Sequence, residues 1–304
     1  MTHPHATTPS VRHGRLCIVL AAVLWSTSGV FTILLTQPTS LGVNEPPVPA
    51  RLIACGRVFF AGALLVPLLR RRDFSFRPMM LVTGLCFAAM NVLYVTALAD
   101  DSKGASANAV WLQYTAPMWM YLVSVWLLGE PADRRGAVVL GVGLTGVAVI
   151  VWGGWHNDNL RVVAIALGSG VAFAGVMIGL RVLRDASSRW LTVFNHLFSA
   201  LVLLPFLWGL ALPTPAQLVV LFCFGALQMA LPYWLVARGL RSVSPQEAGT
   251  IILLEPLLTP VWAYLVAPEK ETPTGYTLAG GALILGALAW RYWPFRPSPS
   301  ERLA

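Results

Sequence analysis

Apolar runs of about twenty residues recur along the whole chain, and no other feature restricts its fold as strongly. A helix needs about 20 predominantly apolar residues to cross the hydrocarbon core of a bilayer. Ten segments approach that length: 16–36, 52–69, 78–99, 105–128 and 137–152 in the first half, then 162–180, 190–210, 216–237, 246–267 and 274–293. The first run is too long for a signal-peptide core, and no small-residue cleavage site follows it, so it reads as a retained helix. Of the 304 residues, 57% are hydrophobic and 11% charged, less than half the charged share usual in a soluble domain. So few charges cannot cover a water-soluble fold of this size, which argues against disorder, a secreted disulfide scaffold or a soluble enzyme.

The basic residues orient the spans. With the N-terminus inside, the cytoplasmic segments hold sixteen arginines, among them Arg12, Arg15, Arg70, Arg71, Arg72, Arg77 and Arg189. The opposite side holds only Arg51, Lys103, Arg161 and Lys270. By the positive-inside rule this asymmetry predicts both termini in the cytoplasm. The net charge of +8 is thus an orientation signal, distributed between apolar runs and not gathered on one face as nucleic-acid recognition requires. Cys17, Cys55, Cys86 and Cys223 all lie within apolar runs, without metal-ligand spacing, and read as small buried hydrophobes.

The two halves resemble each other at an offset of 139 residues. Met90 falls on Met229, Tyr94 on Tyr233, Pro117 on Pro256, Glu130 on Glu269 and Gly141 on Gly280. Five spans per half is an odd number, so the second half is expected to lie inverted relative to the first. The expected fold is therefore an all-α integral membrane protein of ten transmembrane helices in two inverted five-helix repeats. The divisions are a cytoplasmic tail at 1–15, a first repeat at 16–152, an external loop at 153–161, a second repeat at 162–293 and a cytoplasmic tail at 294–304. Inverted repeats are characteristic of secondary transporters, in which one half rocks against the other around a central site.

The stretch Ala21-Ala-Val-Leu-Trp-Ser-Thr-Ser-Gly-Val-Phe31 resembles the first helix of EamA-type members of the drug/metabolite transporter superfamily. So do the run from Pro117 through Leu127–Glu130 and its counterpart Leu253–Pro260. The resemblance covers essentially the whole chain. It implies export of amino acids or related metabolites, with spans one to four and six to nine around a central cavity and the fifth and tenth peripheral.

Ionisable groups inside spans cost about 2.5–3.5 kcal/mol at a helix centre on insertion scales, and they usually face protein or water-filled space. Arg57 and Glu255 are two such groups. Arg57 is read either as a structural partner for carbonyls or an acid, or as an anion or substrate ligand. Glu255 precedes Pro256, whose ring frees a carbonyl one turn earlier. Its readings are a coupling-proton carrier, a partner for a cationic group, or a cap for broken backbone. A direct Arg57–Glu255 pair is a further option. His196 reads as a satisfied buried imidazole or as a proton relay.

Helical faces mixing aromatics with hydrogen-bonding groups supply the remaining candidates. They are Trp25 in the first span, Asn91 and Tyr94 in the third, Asn108, Trp111 and Thr115 in the fourth, and Gln228, Tyr233 and Trp234 in the eighth. Such groups either line a partly wet cavity or hold helices together. Gly141, Gly143 and Gly146 match a dinucleotide-binding fingerprint, but they lie inside an apolar span and read as helix-packing residues, as does the stripe Gly168, Ala172, Gly175 and Gly179. Prolines 67, 117, 205, 232 and 256 are expected to kink their spans.

The expected function is secondary active export of a small metabolite by alternating access, with no cofactor, no metal and no enzymatic chemistry. The bilayer of the inner (plasma) membrane, the small-molecule substrate and protons or another coupling ion are the expected partners. A facilitative channel, an importer and a membrane-embedded enzyme are the alternatives.

Overall fold

The computed structural model describes residues 11–292 apart from 128, 130, 157 and 158, with the side chains of 245 and 246 also excluded. Glu130, Trp293, Arg296, Arg302 and the outer parts of both tails, singled out above, lie outside the described residues.

The described residues fold as α-helices: α1 (Val11–Trp25), α2 (Ser28–Thr36), α3 (Ala50–Leu65), α4 (Met79–Leu98), α5 (Ala105–Gln113), α6 (Ala116–Trp126), α7 (Arg134–His156), α8 (Leu160–Val182), α9 (Ser188–Leu203), α10 (Pro215–Cys223), α11 (Leu231–Gly239), α12 (Pro245–Ile252), α13 (Leu254–Val266), α14 (Pro268–Glu271) and α15 (Gly275–Tyr292). The chain is an all-α, multi-span membrane protein. Eight helical segments among the described residues are long and apolar enough to cross a bilayer: Val11–Thr36, Ala50–Leu68, Met79–Leu98, Arg134–His156, Leu160–Val182, Ser188–Leu207, Pro215–Gly239 and Glu247–Val266. The other two apolar runs take different forms. Residues 105–126 form two short helices, α5 and α6, and α15 is a single helix of 18 residues ending in the polar Arg291 and Tyr292.

The interruptions have local causes. Between α1 and α2, Ser26 Oγ donates to the Val23 carbonyl and Thr27 Oγ1 to the Leu24 carbonyl, both at 2.6 Å. Hydroxyls that return to the preceding turn compete with the backbone ladder and bend a helix. Between α5 and α6, Thr115 Oγ1 donates to the Leu112 carbonyl at 2.6 Å, and Pro117 starts the new helix. Between α10 and α11 the backbone widens into a π-helical segment, Phe224–Ala230, directly before Pro232. Leu231 N bonds the Ala226 carbonyl five residues back, a slip in register that accommodates the missing proline donor.

Pro67 and Pro205 behave otherwise than expected. Each lies in a 3-10 turn, Val66–Leu68 or Leu204–Leu207, and ends its helix without kinking the middle of a span.

Packing pairs helices across the two halves: α4 lies on α8, α1 on α11, α3 on α9, α7 on α15, and α5 on α13. Small residues bring backbones together at these seams. A Cβ on Gly146 would stand 2.6 Å from the Gly280 carbonyl, and one on Gly280 would stand 2.5 Å from the Gly146 carbonyl. Gly143 packs against Met118, Gly175 against Cys86 and Gly179 against Thr83, whereas Gly141 has open space before it. Among the described residues no strand precedes Gly141, Gly143 and Gly146, which lie inside α7 and so cannot form a nucleotide-binding loop. One core cluster includes Ile53, Val58, Phe87 and Phe224, and a second includes Leu98, Trp111, Ile150 and Ile284.

Candidate functional site

The most heavily constrained polar groups lie where the helix breaks meet. Arg57, on α3, is 2% exposed. Its Nε donates to Asn91 Oδ1 at 2.7 Å, and Asn91 Nδ2 in turn donates to the Ala54 carbonyl at 2.8 Å. Asn91 thus bridges α4 to α3 while orienting the guanidinium. The Arg57 Cζ lies 5.6 Å from the Tyr94 ring centroid and 5.2 Å from that of Phe224. Ring quadrupoles attract a cation over their faces, and more strongly where water is excluded. Nη1 of Arg57 is buried with no hydrogen-bond partner. Gly225 permits this packing, because a Cβ there would stand 2.7 Å from the Arg57 carbonyl.

An aromatic chain extends from this cation. Tyr94 OH and Ser28 Oγ share a hydrogen bond of 2.8 Å. Tyr233 meets Trp25 edge to face, centroids 5.5 Å apart, and meets His196 at 5.2 Å. His196 also lies 4.9 Å from Phe87. Its Nδ1 donates to the Thr192 carbonyl at 2.7 Å, which leaves Nε2 buried and unpartnered. Trp25 and Tyr233 remain partly accessible, whereas Asn91, Tyr94 and His196 are buried.

Glu255 occupies the first turn of α13, directly after the break at Leu253. Its Oε2 accepts from Tyr114 OH at 2.8 Å, and the same hydroxyl stands 3.3 Å from the Ile252 carbonyl. Pro256 has no N–H for that carbonyl, so Tyr114 is the nearby donor where the backbone lacks one. The next proline repeats the logic. Pro260 leaves the Pro256 carbonyl without its intrahelical donor, and Trp111 Nε1 fills the vacancy at 2.7 Å. Arg57 and Glu255 form no direct ion pair among the described residues, although both interact electrostatically with each other and with Tyr94 and Tyr233.

The other polar candidates are distributed as follows. Gln228 Nε2 donates to the Trp25 carbonyl at 3.1 Å, satisfying an end of α1 at the α1–α2 break. Trp262 Nε1 donates to Ser26 Oγ at the same break, at 2.9 Å. Thr115 Oγ1 accepts from Trp119 Nε1 at 2.9 Å while bonding its own turn. Asn108 is buried with an unpartnered Oδ1. Trp234 stands apart: it is 42% exposed, and the Arg238 guanidinium lies 5.4 Å from its ring centroid. Sequence reasoning passed over Tyr114, Phe224 and Trp262. The two prolines of α13 signalled a need for donors, but not which helix would provide them. Among the described residues, no group of three or more His, Cys, Asp and Glu side chains could hold a metal ion.

Fold and site together define a multi-span membrane transporter whose polar groups converge on broken helices. The model of the EamA-like transporter family matches residues 12–152 and again 160–292, and the chain belongs to that family. It is 28% identical to an "Uncharacterized transporter" of Archaeoglobus fulgidus, over 92% of this chain and 97% of the relative. It is 24% identical to "Uncharacterized transporter YwfM" of Bacillus subtilis, over 94% and 96% respectively. It is also 24% identical to "Uncharacterized inner membrane transporter YicL" of Salmonella typhimurium, over 84% and 88%. A solved crystal structure superposes with a TM-score of 0.58 at 19% identity, covering 92% of this chain and 98% of that one, a likeness of fold alone.

Proposed function

We propose that the protein is a secondary active exporter of small metabolites, amino acids or related amphiphilic solutes, working by alternating access in the inner membrane. Ten helices cross the bilayer, both termini cytoplasmic, as two inverted five-helix repeats at 16–152 and 162–293 joined by an external loop at 153–161. The exchanged packing supports this arrangement: α4 on α8 has its counterpart in α11 on α1, and α3–α9 and α7–α15 each pair equivalent positions of the two halves. The breaks support it too. An offset of 139 carries Tyr114, which follows α5, onto Leu253, which follows α12. The Salmonella relative is named an inner membrane transporter, which supports placement in the inner membrane.

The solute binds between the halves. The unpartnered Nη1 of Arg57 takes its anionic end, and Trp25, Tyr94 and Tyr233 flank its apolar part. Glu255 carries the coupling proton. The observation that carries this assignment is the placement of Glu255 itself: a partly accessible carboxyl at a helix break, with a single tyrosine donor and no ion-pair partner among the described residues. A carboxyl so held keeps one oxygen open to a proton or a cationic group, and a small shift of α13 against α5 alters its hydrogen bond to Tyr114.

The test is transport in proteoliposomes of a solute first identified by thermal-shift screening of amino acids, nucleobases and small aromatics. Glu255→Gln is expected to abolish uptake driven by a proton gradient while sparing exchange of that solute. Proton-driven uptake retained in the variant would refute the assignment.

A further inference from the structure

The loop between α3 and α4 and the turn between α8 and α9 carry an arginine density that transport does not use. Residues 70–77 and 181–189 hold seven arginines against two aspartates, Asp73 and Asp185. One of those acids is already committed. Asp73 is buried, and it accepts from Arg70 N at 2.8 Å, Ser187 Oγ at 2.9 Å and Arg189 Nη2 at 3.3 Å. These bonds knit the two segments into one platform. Asp185 is exposed, and its ion pairs with Arg77 and Arg184 span 3.9 and 4.0 Å, too loose to neutralise either. Arg70, Arg71 and Arg72 are exposed and in no ion pair among the described residues.

Beside this charge stands an aromatic ridge. Phe74 is 56% and Phe76 65% exposed, which is costly for a soluble loop and favourable at a bilayer interface. Phe74 packs on Trp190 with centroids 4.7 Å apart, and Trp190 Nε1 donates to the Ser75 carbonyl at 2.6 Å. The ridge continues down α9 through Phe194 and Phe198, stacked 5.2 Å apart and partly accessible along the span. A cationic platform at the end of two spans, continuous with an apolar ridge descending into the membrane, matches one chemistry in shape and charge. It is a phosphate head group with acyl chains below it.

We infer that this platform is a binding site for an anionic phospholipid, its phosphate held by Arg70, Arg71 and Arg72 and an acyl chain lying along Trp190, Phe194 and Phe198. Guanidinium groups bind phosphate with geometric preference over a point charge, and basic clusters at the ends of spans attract anionic head groups. Transport and coupling are not needed for this site to exist, so its test does not depend on them.

The experiment is native mass spectrometry of the purified full chain titrated with phosphatidylglycerol or phosphatidylcholine of the same acyl length, with the melting temperature recorded alongside. The wild type is expected to retain phosphatidylglycerol at least ~10-fold better and to gain melting temperature from it alone. The triple variant R70Q/R71Q/R72Q is expected to lose both the preference and the shift while melting normally in lipid-free detergent. The control R238Q/R241Q, at the end of α11, is expected to keep them. Equal retention of the two lipids by the wild type would overturn the proposal, as would an undiminished preference in the triple variant or a loss of preference in the control. Should the triple variant melt abnormally, R71Q alone takes its place, with a partial loss of preference expected and no loss overturning the site.

Discussion

At the scale of single residues, the central polar groups mostly answer backbone needs created elsewhere. Trp111 donates to the Pro256 carbonyl because Pro260 cannot, and Tyr114 stands beside the Ile252 carbonyl because Pro256 cannot. An unmet buried carbonyl costs about 1–3 kcal/mol. Trp111→Phe is therefore expected to destabilise the protein by about that amount, read as a fall in melting temperature in detergent. Pro260→Ala restores a backbone donor for the same carbonyl, so the Trp111→Phe penalty should shrink by more than half in that background. An equal penalty in both backgrounds would show that Trp111 contributes through ring packing alone. Arg57 presents the opposite case. Its Nε is hydrogen-bonded and two rings face its guanidinium, yet its Nη1 is buried without a hydrogen-bond partner.

At the scale of elements, the sequence was most legible where apolar length decides the outcome. Runs such as 78–99 and 162–180 became the uninterrupted helices α4 and α8, because about twenty mostly apolar residues with no proline inside the helix have one good solution in lipid. It was least legible at interruptions. Pro67 and Pro205 only end helices, Pro232 widens one into a π segment, and Pro117 starts one, although all four look alike in a linear sequence. Likewise Gln228, Trp111 and Thr115 were recognisable as polar groups within spans, but their partners at the breaks were not. Asp73 ties elements together at the arginine-rich face. The Arg70 amide, aided by Ser187 and Arg189, holds its carboxyl below the usual carboxylate range. Such a group stabilises the fold at every pH above its ordinary value, near 3.9, and loses that contribution as pH falls through the lowered one. Asp73→Asn is accordingly expected to lower the melting temperature at neutral pH, with the gap narrowing below about pH 4. A gap independent of pH would mean that the loss comes from hydrogen bonds weakened by amidation and that the charge is immaterial.

At the scale of the whole molecule, the pairing of α4 with α8 beside α1 with α11 gives the two halves equivalent contacts. In the alternating-access cycle proposed above, such halves would exchange roles between two packings of near-equal energy, and a solute held between them would meet one side of the membrane at a time. The few charges serve that design, since most arginines lie at span ends and Arg57 and Glu255 lie within the helices. Counterflow separates a carrier from a pore. Proteoliposomes loaded with unlabelled solute are diluted into trace labelled solute with no proton gradient. A carrier gives a transient accumulation of label above its external concentration, driven by exchange through a site that faces one side at a time. Simple equilibration of label, with no overshoot at any loading, would contradict carrier transport.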